Sequence, residues 1–87
     1  MATHGKHIQP LAGPEKAFGQ SFRQLRKKRG MSQEEVSARA HCDRTTISLI
    51  ERGLVSPKLE TIVGLCKAIT TYPSLVMREM ENSRFYR

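Results

Sequence analysis

The chain has 87 residues, with 15 Lys plus Arg against 8 Asp plus Glu and a formal net charge of +7. That length fits one domain and leaves little room for a second, and no apolar run approaches the roughly 18 residues that a membrane span requires. Met1 to Pro14 has no apolar stretch of the kind a secretory signal carries, so the chain reads as cytoplasmic, and its charge attracts polyanions without choosing among DNA, RNA and an anionic membrane.

The charge is unevenly placed. Lys16, Arg23, Arg26, Lys27, Lys28 and Arg29 follow one another with no acid between them, whereas basic and acidic residues nearly balance from Met31 onward. Cys42 and Cys66 have no Cys or His partner at structural-zinc spacing, and they read as buried thiols that behave as small hydrophobes. His4, His7 and His41 read as solvated or locally capping side chains. No metal or other cofactor is called for.

Taken in chain order, residues 1–15 mix Gly5, Pro10, Gly13 and Pro14 with polar side chains and show no sustained period. They predict a flexible N-terminal arm. Phe18, Phe22, Leu25 and Arg29 then recur at helical steps, predicting a first helix from Lys16 to Arg29 with one apolar face and an otherwise basic surface. Gly30 supplies its break.

Ser32 with Glu35 forms a capping-box pattern, opening a short second helix from Gln33 to Ala40 with Val36 and Ala40 on one face. After His41 and Cys42, Asp43 is suited to cap a third helix from Arg44 to Arg52 that turns Ile47, Ile50 and Glu51 to one side. Leu59, Ile62, Leu65, Cys66 and Ile69 mark a fourth helix. Pro73 starts a fifth carrying Leu75, Val76 and Met80. The expected fold is all-α, a compact five-helix repressor-like domain over residues 16–81, with residues 82–87 as a tail.

Two very short helices joined by three residues, the later one well capped, form a steep pair and leave one face of the later helix exposed. That face carries Arg44, Thr45, Ser48, Leu49 and Arg52. Arg can pair with guanine acceptors, hydroxyls can donate or accept, and a methyl or Leu49 can pack on thymine in the major groove.

Met31 to Gly53, MSQEEVSARAHCDRTTISLIERG, resembles the helix-turn-helix of the phage repressor and Cro-type family, also called the XRE family. The resemblance rests on Ser32-Gln33 with Glu35, Thr46-Ile47-Ser48, and Ile50-Glu51-Arg52-Gly53 followed by Pro57. It extends to the preceding basic helix and through Leu59 to Ile69. It implies that Arg44, Thr45, Thr46 and Leu49 meet bases, and that Gln33 touches phosphate while bracing the reading helix. It also implies that Arg26 pairs with Glu51. Ser48, Arg52, Lys27, Lys28 and Lys58 are the expected backbone or supporting residues. The sequence departs from the family where glycine is usual and His41 stands, which implies a left-handed backbone there. Cys42 replaces a core aliphatic residue, Lys58 a Ser cap, and Leu49 a polar reader.

The expected function is sequence-specific binding of double-stranded DNA by a transcriptional regulator, a repressor or autoregulator that reads an inverted repeat as a homodimer. Leu75, Val76, Met77, Met80, Phe85 and Tyr86 are the expected dimer contacts. The rival reading keeps the fold as a protein-interaction module, such as an antitoxin or a coactivator-like bridge. An enzyme is disfavoured, because the sequence has no nucleophile–base pair, paired-acid motif or phosphate-cradling loop.

Overall fold

The computed structural model describes residues 13–86, and among these it contains five α-helices and no strand. They are α1 (Pro14–Lys28), α2 (Gln33–Ala40), α3 (Arg44–Glu51), α4 (Leu59–Ala68) and α5 (Pro73–Glu81). Of the arm predicted over residues 1–15, positions 1–12 lie outside the described residues, and Pro14 and Glu15 belong to α1 instead.

Local chemistry explains the starts. Pro14 and Pro73 open α1 and α5 with a preset φ, at a place where the missing N–H costs nothing. At α2 the Ser32 hydroxyl accepts from the Glu35 amide at 3.0 Å, and the Glu35 carboxylate accepts from the Ser32 amide at 2.8 Å. The Ser32 backbone N–H holds the Glu35 carboxyl below its ordinary range. That contribution is present above the ordinary carboxylate range and is lost as pH falls through the lowered value. Asp43 departs from expectation, since its side chain makes no capping hydrogen bond at α3. Lys58 makes none at α4.

Four helices end in the same way. Gly30, His41, Gly53 and Thr70 each adopt positive φ, between 52° and 73°. The following amide then reaches back to the last turn: Met31 to Arg26, Cys42 to Ser37, Leu54 to Leu49 and Thr71 to Cys66. This ending satisfies otherwise orphaned carbonyls. Glycine enters it without a Cβ penalty, and His41 and Thr70 enter it at some cost. Arg29 supports the Thr70 turn by donating to the carbonyls of Ile69 and Thr70.

The core draws on every helix. Phe18, Phe22 and Leu25 of α1 meet Val36 of α2, Ile47 and Ile50 of α3, Leu65 and Cys66 of α4 with Ile69 just beyond it, and Val76 and Met80 of α5. Helix α1 lies against α3 and α5, α2 against α3 and α4, and α4 against α5. Each large apolar side chain so buried stabilises the fold by about 1.5–3 kcal/mol. Burial pushes the Cys66 thiol up to about 11 and raises that of half-buried Cys42, so burial favours the protonated thiol at both positions.

Four residues depart from their expected placement. Leu59 is 75% exposed and stands outside the core. Val76 and Met80, expected at a contact between copies, are core residues of the chain itself, 0% and 7% exposed. Their spacing of four puts them on the one face that α5 turns inward. Phe85 is also largely engaged within the chain. It packs against the core, with the Lys16 ammonium and the Arg84 guanidinium each 5.1 Å from its ring centre.

Candidate nucleic-acid interface

Helix α3 has two chemically distinct sides. Ile47, Ile50 and Glu51 are buried, while Arg44, Thr45 and Arg52 are exposed and Thr46, Ser48 and Leu49 are half-buried. The apolar residues fix the helix to the core by the 3.6-residue period, so the polar ones are turned outward by the same geometry. Eight residues make a helix about 12 Å long, short enough to lie in a DNA groove.

A polar clamp sets the pose of α3. Arg26 of α1 donates through Nε to Glu51 Oε2 at 2.6 Å and through Nη2 to Oε1 at 2.8 Å. Its Nη1 donates to the Met31 carbonyl at 2.8 Å. Gln33, the first residue of α2, donates through Nε2 to Glu51 Oε1 at 3.0 Å. One carboxylate thus joins α1, α2 and α3. The Glu51 carboxylate raises the pKa of Arg26, chiefly through its hydrogen bonds and against the opposing effect of burial. The two-pronged geometry suits a planar guanidinium and would not be reproduced by lysine.

The first turns of α2 and α3 come together at the exposed surface. Arg44 at the start of α3 places Nε 2.7 Å from Oε2 of Glu34, the second residue of α2. This contact crosses the turn and had no signature in the spacing of the sequence. A cation at a helix N-terminus is electrostatically disfavoured, and α3 has no acid in its first turn. Arg44 therefore does not stand there to stabilise its own helix.

The basic residues fall into separate groups. Arg52 shares an open recess with Lys16, Gln20 and Arg23 of α1. Lys27 and Lys28 are exposed at the far end of α1, and Lys58 is exposed before α4. Arg29 is spent on the α4 carboxyl end. Among the described residues no helix is long and apolar enough to cross a membrane.

These features coincide with known proteins. The helix-turn-helix domain family matches residues 17–77. A curated relative, the uncharacterized HTH-type transcriptional regulator y4dJ of Sinorhizobium fredii, is 37% identical over 54 residues, covering 62% of this chain and 70% of the relative. Among solved structures, the restriction-modification controller protein C.AhdI from Aeromonas hydrophila superposes with a TM-score of 0.66 at 34% identity, over 75% of this chain and 92% of that one. The clp gene regulator ClgR from C. glutamicum matches the fold with a TM-score of 0.80 at 24% identity, over 87% of this chain and 96% of that one. The chain belongs to the helix-turn-helix family of DNA-binding transcriptional regulators, of the phage repressor and Cro type.

Proposed function

We propose that the protein is a sequence-specific double-stranded DNA-binding regulator, a repressor or autoregulator, that works as a homodimer on an inverted repeat. The observation that carries this reading is the two-sided α3. Arg44, Thr45 and Thr46 stand at its outward N-terminal end, while Glu51 on the opposite side is locked by Arg26 and Gln33. Readers on a rigid element discriminate better than readers on a loop. The likeness to a restriction-modification controller at 34% identity supports the regulatory role.

Two copies are proposed because a helix about 12 Å long spans only a few base pairs, too few to discriminate against the competing sites of a genome. With Val76 and Met80 in the core and Phe85 packed against it with two cations near its ring, the residues left for the contact are half-buried Leu75 and Met77 and exposed Tyr86.

Arg44→Ala is expected to cost about 1–3 kcal/mol on the preferred duplex and far less on a scrambled one. Lys27→Ala and Lys28→Ala are expected to weaken both alike and to lower the salt slope, as phosphate contacts do. Titration of both duplexes across a salt series reads these outcomes. An equal loss on both duplexes for Arg44→Ala would move that residue to the phosphate class.

A further inference from the structure

We propose that Lys16, Gln20, Arg23 and Arg52 form a phosphate-binding site for the DNA backbone that flanks the bases read by α3. The site rests on the DNA-binding reading above and extends it onto α1. Thr45, Ser48 and Arg52 recur at steps of three and four, so Arg52 ends the outward stripe of α3 whose other end holds the base readers. Lys16, Gln20, Arg23 and Lys27 recur at four, three and four. They lie within roughly 60° of one another about the α1 axis, over a length of about 16 Å.

Packing joins the two stripes. Arg52 lines one open recess with Lys16, Gln20 and Arg23. The backbones behind it are in close contact: a Cβ at Gly53 would lie 3.0 Å from the Lys16 Cα, and one at Gly19 would collide with the Ile50 carbonyl oxygen. Two helices pressed backbone to backbone therefore set the spacing of the cations.

Among the described residues no carboxylate answers this charge, since the ion pairs join Arg26 to Glu51 and Arg44 to Glu34. Glu51 also lines the recess, but its oxygens are taken by Arg26 and Gln33. The Lys16 ammonium lies 5.1 Å from the Phe85 ring centre, a contact that leaves its charge uncancelled. The dipole of α3 favours a cation at its carboxyl end. That accounts for one of the three cations and not for their convergence, which self-repulsion opposes. An external anion offsets the repulsion. One DNA strand presents a phosphate about every 3.4 Å of helix axis, so a cationic row of this length can meet more than one. Gln20 adds a neutral donor of a kind that also contacts phosphate oxygens.

The test is a salt series with the full chain on its best-bound duplex and on a scrambled one. Arg23→Gln is expected to weaken both by one factor and to lower the slope of log affinity against log salt by about one for each bound copy. Its deficit should then shrink about 3.5-fold per copy when salt is raised fourfold. Lys67→Gln removes one exposed charge from α4, outside the recess, and is expected to leave the slope near that of the wild type. A neutral methylphosphonate, placed at one phosphate at a time beyond the base-read positions, locates the contact. One such position should weaken the wild type and leave Arg23→Gln unaffected. Unchanged circular dichroism would show that these exposed substitutions spare the fold. Equal slopes for Arg23→Gln and Lys67→Gln, or methylphosphonate effects that persist undiminished in Arg23→Gln at every position, would overturn the site and leave a diffuse positive field. If the wild type binds both duplexes equally, the sequence-specific reading has failed, and the slope comparison still decides the site.

Discussion

Glu51→Ala is expected to destabilise the domain by about 3–5 kcal/mol, the usual cost of breaking a buried ion pair from one side. Arg26, 6% exposed, would keep only the Met31 carbonyl as a partner. Gln33 would lose its acceptor as well. A domain of this size has a total stability of about 5–15 kcal/mol, so the loss takes roughly a fifth or more of it. The attraction between the two charges is not the source of this loss, since desolvating both is expensive. Arg26→Met combined with Glu51→Leu is therefore expected to recover most of the stability. Urea unfolding followed by circular dichroism separates the cases. A loss below about 1 kcal/mol for Glu51→Ala would mean that the pair behaves as a solvated surface bridge.

Gly19→Ala is the second large effect, and its sign opposes helix propensity. A Cβ at Gly19 would lie 2.1 Å from the Ile50 carbonyl oxygen and 2.8 Å from that of Glu51. Both are backbone atoms of α3, so neither can swing aside, and the helices must separate. The expected cost is about 3 kcal/mol or more, beyond the usual penalty for overpacking. Gly64→Ala in α4 is the internal control, because a Cβ there meets nothing within 4 Å. It is expected to gain up to about 1 kcal/mol from reduced chain entropy, raising Tm by roughly 4–8 °C. Thermal melts of the two variants should move in opposite directions. Equal and favourable shifts would show that α1 and α3 do not approach as closely at Gly19 as the structure has it.

These two positions also mark what could be read from the sequence. Helix existence and order were legible, because Phe18, Phe22 and Leu25, or Ile47 and Ile50, recur at the period that one buried face requires. The ends at Gly30 and Gly53 were legible from glycine itself. The same ending at Thr70 was not, since no residue type announces a strained β-branched turn. His41 was read through the resemblance alone. Gly19 gave no signal either: a glycine inside a helix reads as a mild weakness until the neighbouring backbone is in place.

The site divides along the same line. The outward face of α3 follows from its inward one, so Arg44, Thr45 and Arg52 could be placed from spacing. The contact of Arg44 with Glu34 joins two helices across a turn, and spacing along the chain carries no record of it. For α5 the apolar residues were countable but their destination was not. Val76 and Met80 could have served a partner or the core, and α1 lying across α5 decided for the core.

The most direct test of the central claim is selection of bound duplexes from a random library by the purified full chain at near-physiological salt. Two α3 helices related by a two-fold axis are expected to enrich one inverted repeat. The centres of its half-sites should lie about 34 Å apart, or a multiple of that distance, so that both face the same side of the duplex. A guanine should stand at the position whose preference Arg44→Ala abolishes. Recovery of a pool indistinguishable from the starting library, with binding that fades only as salt rises, would contradict the account and leave the positive charge as the whole of the interaction.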